Sequence, residues 1–514
     1  MTGDEVRPLV VGVLAARTAA RLAEQARSDS AARCDLLELR VDLLDPEVTL
    51  DEAVAAAGGR SLLVTCRPAR EGGGFRGDER DRLRLLARAA ALAPVRLVDV
   101  ELSSIPPGAA PGLPAVAREG AVVSFHDFGG SPPDLEAIAG RAAETGAAHV
   151  KIVSTPLHHA DAVRVLALNG RAGRARVSAF GMGEIGFPTR VLSAARGAGL
   201  VYAAVDAAAA TAPGQPTVAD LLDLYRVRSA GPGTRVFGVA GDPVAHSLSP
   251  RLHNALFARR GVDAVYLPFR APDFRDLHST RDEWRLDGLS VTIPHKVTAA
   301  RLADRLDPVA ERIGAVNTLV REPDGVHFSG HNTDAGGAVA SLEESAGGEA
   351  ALRRLLEGGA RVVIAGAGGA ARAILFGLVD RGAKAGGVFA RDPGKAASLA
   401  AEVAFESGSL GDLAASRPAI LVQATAAGMA AKGKAAGADE TVIPGSLLSP
   451  EVIVFETVYT PIETRLVREA RAAGARVVTG DAMFVRQAAL QFRLFTGIEP
   501  ALAEVRAAFE RALA

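Results

Sequence analysis

A chain of 514 residues is too long for one hydrophobic core, so its length predicts two or three domains. Hydrophobic residues make up 48% of the chain and charged residues 23%, and the net charge of −1 gives no reason to expect nucleic acid or an acidic membrane surface as a partner. No apolar run is long enough to span a bilayer and the acidic N-terminus is unlike a secretory signal, so we expect a cytoplasmic protein without a membrane partner.

Eight short apolar runs recur through the first 228 residues, separated by alanine- and arginine-rich stretches of helical spacing. Near-continuous apolar strands that alternate with helices are typical of parallel βαβ units. Eight such units in about 225 residues match the size of a (β/α)8 TIM barrel, with an open doubly wound sheet as the alternative. Cys34 and Cys66 lie in two of these runs, so we expect buried free thiols. The runs cover residues 9–15, 34–44, 61–67, 96–102, 121–128, 147–153, 176–182 and 199–205.

Polar side chains interrupt these runs, mostly toward their C-terminal ends. Glu38 and Arg40 lie in the second strand, and Arg67, Glu101 and His126 lie at or near the ends of the next three. A charge inside an apolar strand is costly unless it is paired or used. Because barrel active sites lie at the C-terminal ends of the strands, this pattern predicts an active site there.

Lys151 lies inside the sixth run, in the segment HVKIV. Burial among branched apolar neighbours lowers the pKa of an ammonium group and favours a neutral, nucleophilic amine. Such an amine forms a Schiff base with a ketone or aldehyde, and His126 on the preceding strand can move protons beside the imine. The alternatives are a lysine that reaches solvent from the strand end and a purely structural histidine.

The segments ELRVDLL, TCRPAREGG, SFHDF, HVKIV, SAFGMGEIGFPTR and TAPGQPT follow one another in this order. Together they resemble type I 3-dehydroquinate dehydratase across residues 9–228. The resemblance implies that Lys151 forms an imine with the substrate ketone, that His126 is the general acid and base, and that Glu71 orients His126. A class I aldolase, which also uses a barrel lysine imine, is the alternative. The resemblance also implies substrate contacts from Glu38, Arg40, Arg67, Arg190, Thr211 and Gln215.

The segment SAGPGTR at residues 229–235 can neither continue a helix nor pack in a core, so we expect a linker there. After it, VFGVAGDPVAHSLSPRLHNALF is typical of a strand, a turn and a helix that starts near Pro250. Ser247 and Ser249 then lie at the helix N-terminus, which suits a carboxylate ligand, with simple helix capping as the alternative.

A lysine, a carboxylate, two amides and a hydroxyl follow within short motifs. Thr292 and Lys296 lie in SVTIPHK, Asn317 lies in GAVNTL, and Asn332 and Asp334 lie in HNTDAGG. Each motif alone is weak, because an Asn-Thr-Asp sequence before glycines is usually a turn. Together they provide a suitable set for a polyhydroxylated acid.

The stretch ARVVIAGAGGAARAILFGLVDRG is typical of a strand, a glycine turn and a helix. Gly366, Gly368 and Ala371 form the G-x-G-x-x-A dinucleotide fingerprint in the strand-to-helix context that it requires. The next strand ends at Arg391 instead of an acidic residue, which favours the 2′-phosphate of NADP over NAD. The adjacent Asp392 weakens this inference, and a solvated loop charge is the alternative for Arg391.

From about residue 235 onward the chain is similar to shikimate dehydrogenase. The matching segments are GDPVAHSLSPRLHN, SVTIPHK, GAVNTL, HNTDAGG, GAGGAARA, QATAAGM, TVYTPIETRLVREA and GDAMFVRQAALQF. The similarity implies a catalytic pair, Lys296 and Asp334, with NADP(H) as cofactor. Gln423 and Ala426 depart from the asparagine and serine that the family often shows, and residues 430–440 predict an extended loop. Implied substrate contacts are Ser247, Ser249, Thr292, Asn317, Asn332, Tyr459 and Gln487, and implied cofactor contacts are Gly366, Ala367, Gly368, Gly369, Ala370, Arg391, Thr425 and Gly480.

These features predict an α/β chain with an N-terminal barrel and a two-domain dehydrogenase that contains a Rossmann domain. The implied function is bifunctional: dehydration of 3-dehydroquinate, then reduction of 3-dehydroshikimate to shikimate with NADPH. A non-catalytic metabolite sensor and a quinate-oxidising second half remain alternatives. We expect small-molecule substrates, no metal and no nucleic acid, and the oligomeric state stays open. The predicted parts are the barrel at 1–228, the linker at 229–235, a substrate-binding domain at 236–338, the Rossmann domain at 339–480, and helices at 481–514 that return to the substrate-binding domain.

Overall fold

The computed structural model describes residues 7–105, 120–429 and 439–513. Residues 430–438 of the predicted 430–440 loop therefore lie outside the described part of the chain. The chain forms two compact units. The first unit comprises Met1–Gly238, Pro243–Ser247 and Phe257–Leu286, and the second comprises Val239–Asp242, Leu248–Leu256 and Asp287–Ala514.

Eight parallel strands of the first unit form one sheet, and each predicted apolar run overlaps one of them. In sheet order they run β8-β6-β5-β4-β3-β2-β1-β9, with the short β7 antiparallel to β8. The Leu200 amide of β9 donates to Ser178 Oγ of β8 at 2.8 Å, which joins the two ends of this order. The predicted barrel is therefore confirmed. The strands are β1 (Leu9–Leu14), β2 (Leu36–Arg40), β3 (Leu62–Thr65), β4 (Val95–Glu101), β5 (Ala121–His126), β6 (His149–Ser154), β7 (Gly170–Ala172), β8 (Ala175–Gly181) and β9 (Leu200–Ala204).

Alternate residues along these strands build an apolar cluster on one face of the sheet. Because residues two apart in a strand lie on the same face, Glu38 lies on the face of Leu36, and Asp99 lies on the face of Leu97. The polar residues near the strand ends therefore stand on an apolar base. The cluster consists of Val11, Val13, Leu36, Leu63, Leu97, Val122, Val153, Phe180, Met182, Leu200 and Tyr202.

Helices follow the barrel strands. The third of them, Leu50–Ala56, begins after a capping box. Thr49 accepts a hydrogen bond from the Glu52 amide, and the Glu52 side chain accepts one from the Thr49 amide. Both cysteines are buried free thiols, as predicted. The helices are α1 (Ala19–Ala26), α2 (Asp29–Ala32), α3 (Leu50–Ala56), α4 (Glu79–Ala90), α5 (Leu135–Glu144), α6 (His159–Ala167) and α7 (Gly183–Ala195), with a π-helix at Asp220–Leu224.

The first unit continues beyond the barrel. His159, at the start of α6, donates its amide to Asp276 Oδ2 at 2.6 Å, and its Nε2 lies 2.9 Å from the Arg270 carbonyl. Its ring packs against Phe269 and Trp284, with centroid distances of 6.2 and 5.9 Å. Residues 257–286 are thus tied to a barrel helix by apolar and polar contacts. The elements after the barrel are β10 (Arg235–Gly241), α8 (Ser249–Arg260), β11 (Ala264–Arg270) and α9 (Phe274–Ser279).

The second unit begins with a small mixed sheet and the helices around it. Within the unit β12 pairs antiparallel with β14, β14 antiparallel with β15, and β15 parallel with β13. These elements are β12 (Leu286–Val291), α10 (Lys296–Leu302), β13 (Arg305–Leu306), α11 (Pro308–Ile313), β14 (Thr318–Arg321), β15 (Phe328–His331) and α12 (Thr333–Ala346).

A six-stranded parallel sheet follows in the same unit. Its strand order is β18-β17-β16-β19-β20-β21. The chain adds β17 and β18 on one side of β16 and then β19, β20 and β21 on the other side, which is the strand order of a Rossmann fold. The predicted Rossmann fold is therefore confirmed. Its elements are α13 (Glu349–Glu357), β16 (Val362–Ala365), α14 (Gly369–Asp380), β17 (Gly386–Ala390), α15 (Pro393–Ala401), β18 (Glu406–Ser409), β19 (Ile420–Gln423), β20 (Ile453–Glu456), α16 (Arg465–Ala472) and β21 (Arg476–Val478).

The chain ends in α17 (Gly480–Thr496) and α18 (Leu502–Leu513). A Cβ atom at Gly337 of α12 would lie 2.9 Å from the Gln487 amide nitrogen, so α12 and α17 approach closely at this glycine. Gln491 of α17 donates to Thr318 Oγ1 of β14 at 3.0 Å. Across the described ranges, every helix is too short or too polar to cross a membrane.

Two candidate active sites

The nine residues that the resemblance implies for the barrel site all line one pocket, whereas Glu101, which the sequence also singled out, does not line it. The predicted residues are Glu38, Arg40, Arg67, Glu71, His126, Lys151, Arg190, Thr211 and Gln215, and they are joined by Gly72, Phe128, Val153, Phe180, Met182, Tyr202 and Ala212.

Lys151 is buried inside this pocket, with 7% of its surface exposed. Its Nζ lies 3.7 Å from Asp99 Oδ2, 3.8 Å from Glu38 Oε1 and 4.0 Å from the centre of the Tyr202 ring. Burial lowers the pKa of the ammonium, and the two carboxylates partly oppose this effect. Burial therefore shifts Lys151 toward the neutral amine, the form that can attack a carbonyl, and the two carboxylates keep negative charge close to the nitrogen.

His126 and Glu71 face each other across the pocket wall. His126 Nδ1 lies 3.4 Å from Glu71 Oε2, and Ser103 Oγ donates to Glu71 Oε1 at 2.6 Å. Burial holds the pKa of His126 well below its usual range, and the positive charges of Arg67 and Lys151 add to the effect. The imidazole is therefore neutral near pH 7, which is the form that accepts a proton.

Two of the three pocket arginines already have carboxylate partners within the protein. Arg40 donates to both oxygens of Asp42, at 2.9 and 2.7 Å. Arg67 donates to Asp99 Oδ2 at 2.9 Å and to Glu101 Oε1 at 2.8 Å. Much of the positive charge of these two guanidinium groups is therefore balanced before any ligand binds.

Arg190 differs from the other two. Within the described part of the chain its Nε has no hydrogen-bond partner, and its Nη2 makes only a long contact of 3.5 Å to the Pro213 carbonyl. The guanidinium lies 4.9 Å from the centre of the Phe180 ring, and burial lowers its pKa to about 10. A buried cation with an open donor suits a ligand carboxylate.

The loop after β9 contributes Thr211 and Gln215. Gln215 Oε1 accepts hydrogen bonds from the Thr211 amide at 2.8 Å and from Thr211 Oγ1 at 3.2 Å. Each of these side chains therefore holds the other in position beside the pocket.

Lys296 and Asp334 form a close pair in the second unit. Lys296 Nζ donates to Asp334 Oδ2 at 2.5 Å, and 16% and 9% of the two side chains are exposed. Asn332 caps α12 by accepting from the Ala335 amide at 3.2 Å, and its Nδ2 donates to the Ala315 carbonyl at 2.9 Å. The cap fixes the first turn of α12, which carries Asp334.

The structure brings two predicted amides together around a threonine that the sequence did not single out. Asn317 Oδ1 accepts from the Thr333 amide at 2.8 Å, and Asn317 Nδ2 donates to Thr333 Oγ1 at 2.9 Å. Thr333 Oγ1 in turn lies 3.4 Å from Gln487 Oε1. Tyr459 packs on Phe484 at 4.7 Å between ring centres.

The remaining predicted substrate contacts are Tyr459, Thr292, Ser249 and Ser247. Burial and the nearby charge of Asp334 raise the pKa of Tyr459, so its hydroxyl stays protonated. The Thr292 amide donates to the Ala240 carbonyl at 2.9 Å in the second unit. Ser249 is buried at the start of α8, also in the second unit, whereas Ser247 belongs to the first unit and donates its amide to the Val244 carbonyl at 3.0 Å.

The glycine turn between β16 and α14 has the shape that a dinucleotide requires. Gly366 has a φ of +126°, and a Cβ there would lie 2.5 Å from the Ala424 carbonyl. Gly368 precedes α14, and a Cβ there would meet nothing within 4 Å, so the helix N-terminus stays open. A Cβ at Gly369 would lie 3.2 Å from Lys296 Cδ, which places the turn beside the Lys296–Asp334 pair. The residues therefore fit a dinucleotide cofactor.

Further predicted cofactor contacts surround this turn. Thr425 donates hydrogen bonds from its amide and its hydroxyl to Gln423 Oε1, at 2.9 and 2.8 Å. Gln423, which stands where the family often has asparagine, therefore holds the loop that carries Thr425. A Cβ at Gly480 would lie 2.5 Å from the Val458 carbonyl, which requires a glycine there. Ala367 and Ala370 of the turn are half-buried.

Arg391 is exposed at the end of β17, and the role of Asp392 is now clear. Asp392 Oδ1 accepts from the amides of Gly394 and Lys395, at 3.0 and 3.3 Å, and so caps α15. This carboxylate is engaged by the helix. Arg391 lies two residues after Phe389, whose carbonyl accepts from the Gly366 amide of the nucleotide turn at 2.7 Å.

Comparison with known proteins supports the division of the chain into two activities. Residues 11–232 match the family model of type I 3-dehydroquinase, residues 239–319 that of the shikimate dehydrogenase substrate-binding domain, and residues 482–508 that of the shikimate 5'-dehydrogenase C-terminal domain. The bifunctional 3-dehydroquinate dehydratase/shikimate dehydrogenase of Arabidopsis thaliana chloroplasts is 36% identical over 489 residues, which cover 90% of this chain and 78% of the plant protein. The chain belongs to this bifunctional family.

Other relatives match only the dehydrogenase half. The NADP(+) shikimate dehydrogenase of Methanosarcina barkeri is 40% identical over 279 residues, and that of Methanosarcina acetivorans is 42% identical over 277 residues. Each match covers 52% of this chain and 94% of the relative. A crystal structure of the Thermus thermophilus enzyme in complex with NADP(H) and shikimate is 33% identical with a TM-score of 0.46, and covers 54% of this chain and 99% of that chain. The sequence matches confirm the resemblance to the two families.

Several residues of the barrel site were missed by the sequence analysis. Asp99 and Ser124 are fully buried, and Ser124 Oγ donates to Asp99 Oδ1 at 2.5 Å beside Arg67. Tyr202 presents its ring to Lys151. The alternation that placed Glu101 on the inner face also places Asp99 there, two residues earlier, so the signal was present.

Proposed function

We propose that this member of the bifunctional family catalyses two successive reactions. The barrel dehydrates 3-dehydroquinate to 3-dehydroshikimate, and the second half reduces 3-dehydroshikimate to shikimate with NADPH. The observation that carries the proposal is the common pocket that holds the buried Lys151, the neutral His126 and the open cation Arg190. Small molecules are the expected partners, and a cytoplasmic location and the domain boundaries predicted from the sequence remain part of the proposal.

In the dehydration, the Lys151 amine adds to the substrate ketone, and the carbonyl oxygen leaves as water. The resulting iminium draws electrons from the neighbouring carbon and acidifies its C–H bond. The neutral imidazole of His126 takes that proton and then delivers a proton to the departing hydroxyl group. Glu71, held by Ser103, keeps His126 in place at 3.4 Å. Hydrolysis of the imine then releases the product.

Arg190 is the proposed partner of the substrate carboxylate. We expect Arg190→Met to raise KM for 3-dehydroquinate by about 30- to 150-fold, corresponding to a loss of about 2–3 kcal/mol, because a charge-assisted contact is removed from a buried site. Steady-state kinetics on both reactions measure this. Arg190→Lys, which keeps the charge but not the fork, should give an intermediate KM, and reduction of 3-dehydroshikimate is the control. An unchanged KM in Arg190→Met would place the carboxylate elsewhere.

In the reduction, the glycine turn at residues 366–369 would hold NADPH, which would supply a hydride to the ketone carbon. Lys296 donates a proton to the oxygen of the same carbonyl, or stabilises the negative charge that develops on it. Asp334 holds the Lys296 ammonium in place. The Asn317–Thr333–Gln487 group and Tyr459 provide hydroxyl and amide groups that suit the substrate hydroxyls.

Arg391 is the proposed reader of the 2′-phosphate. We expect Arg391→Ala to reduce the preference for NADP over NAD by about 30- to 150-fold, mainly through KM for NADP, because about 2–3 kcal/mol of charge-assisted contact is lost. Parallel kinetics with both cofactors measure this. Lys395→Ala is the comparison, since Lys395 is the other cation at the start of α15. If the preference is unchanged in Arg391→Ala and lost in Lys395→Ala, the phosphate is bound by Lys395.

The whole proposal is tested by supplying 3-dehydroquinate and NADPH to the purified protein. Formation of the conjugated product and then oxidation of NADPH should appear in that order. A metabolite sensor without activity would bind the compounds and turn over neither. Oxidation of quinate as fast as shikimate would favour the quinate-oxidising alternative for the second half.

A further inference from the structure

Asp99 is a buried carboxylate that the proposed chemistry has not used. It lies on β4, and none of its surface is exposed. Its Oδ1 accepts from Ser124 Oγ at 2.5 Å, and its Oδ2 accepts from Arg67 Nη2 at 2.9 Å. The same Oδ2 lies 3.7 Å from Lys151 Nζ. Two neighbours therefore fix the carboxylate while it faces the reactive nitrogen.

The distance matters as much as the charge. At 3.7 Å the Lys151–Asp99 contact is an ion pair but too long for a strong hydrogen bond. The nitrogen therefore lies close to the negative charge, while its hydrogens are not engaged in a strong hydrogen bond to Asp99. Glu38 lies at a similar distance, 3.8 Å, but it also lines the pocket, where it can meet substrate hydroxyls.

The charges that face Lys151 come from several strands and nearly balance. The carboxylates favour a positive charge on the nitrogen, and the guanidinium groups disfavour it. Without Asp99, Arg67 would lose one of its two carboxylate partners and would stand against Lys151 with more of its charge uncompensated. The facing groups are Glu38 and Arg40 from β2, Arg67 after β3, Asp99 from β4, His126 from β5 and Tyr202 from β9.

We propose that Asp99 is a positioning residue for Lys151, whose fixed carboxylate holds the positive charge on the lysine nitrogen through the imine stage. This inference rests on the proposed dehydration. When the amine adds to the ketone, the carbonyl oxygen leaves as water, carrying one hydrogen from the amine and one from a general acid. The nitrogen keeps its other hydrogen and a positive charge. That charge is the electron sink for proton removal, so a fixed counter-charge maintains the iminium.

The test compares Asp99→Asn with wild type in two measurements on the full-length protein. Without substrate, the pH dependence of Lys151 amidination reports the pKa of its ammonium. We expect the midpoint to fall by about one unit or more, because a negative charge near the nitrogen has been removed. With 3-dehydroquinate, we expect kcat to fall about 10- to 100-fold while KM changes less than about threefold, since Asp99 does not line the described pocket.

Two further variants separate positioning from a merely structural role. Asp99→Glu keeps the charge and should hold the midpoint near that of wild type, whereas a structural role would disturb both variants alike. Ser124→Ala removes one support of the carboxylate and should lower kcat without changing KM; these two variants decide the question if Asp99→Asn does not fold. The thermal unfolding of each variant, compared with that of wild type, shows whether its barrel is folded.

The result that would overturn the proposal is an unchanged midpoint in a folded Asp99→Asn protein, or a kcat equal to that of wild type. Failure of the proposed dehydration would look different, because wild type itself would then fail to convert 3-dehydroquinate. The amidination midpoint needs no substrate and would still decide whether Asp99 controls the charge of Lys151.

Discussion

Replacement of Lys151 by alanine is expected to abolish dehydration of 3-dehydroquinate, by at least about 10⁴-fold, while reduction of 3-dehydroshikimate continues near the wild-type rate. The reason is that the amine is the group that would make the covalent bond to the substrate. Of the described residues, Lys151 is the lysine that lines the barrel pocket. The reduction should persist because its proposed lysine, Lys296, lies in the second unit.

The covalent step can be observed directly. Borohydride added to wild type with 3-dehydroquinate should fix the mass of the reduced substrate adduct on the peptide that contains Lys151, and mass spectrometry of a digest locates it. Lys384→Ala, which removes an exposed lysine of the second unit, is the matched control and should behave as wild type. Substrate mass on another lysine, or none at all, would remove the imine mechanism.

Replacement of Asp334 by asparagine should have the reverse effect: reduction falls by about 10²- to 10³-fold and dehydration remains. The substitution keeps the shape of the side chain but removes the charge 2.5 Å from Lys296 Nζ. Lys296 would then lack the partner that orients it toward the substrate oxygen, and the developing charge would be less well stabilised.

Oxidation of NADPH in the presence of 3-dehydroshikimate measures this loss, and the dissociation constant of NADPH should stay near that of wild type. Asp324→Asn is the control, because it removes the carboxylate of an exposed pair with His327. If either Lys151→Ala or Asp334→Asn silences both reactions in a folded protein, the two sites are coupled, and the interpretation as two independent modules is wrong.

Point substitutions are a better test of independence than cleavage at residues 229–235. A linker at residues 229–235 between two fold signatures predicts two separately folding pieces, unless a large apolar interface joins them. In the first unit, His159 of the barrel helix α6 packs on Phe269 and Trp284, which follow the linker. Cleavage would leave these aromatic groups dependent on a second fragment, so loss of activity after cleavage would not separate catalysis from folding.

Much of the architecture was determined by the sequence alone. Each of the eight apolar runs overlaps a strand, because a buried parallel strand needs a short, continuous apolar segment and the intervening periodicity suits helices. The glycines of the nucleotide turn were equally readable, since Gly366 has a backbone conformation and a close neighbour that a side chain would not tolerate. Lys151 could be predicted because burying an ammonium group among branched apolar residues costs free energy, which indicates a functional role.

The tertiary structure decided how the charges are paired. Sequence alternation places a side chain on a face, but it does not say which carboxylate a distant arginine will meet. Arg40, Arg67 and Arg190 were all predicted as substrate contacts. Arg67 donates hydrogen bonds to Asp99 and Glu101, and Arg40 donates to Asp42. Among the described residues, Arg190 Nε has no hydrogen-bond partner. Such pairings depend on sheet order and strand register, which bring together residues 32 and 34 positions apart in the case of Arg67. Alternation puts Asp99 on the same face as Glu101, but only the folded chain shows that its carboxylate lies 3.7 Å from Lys151 Nζ.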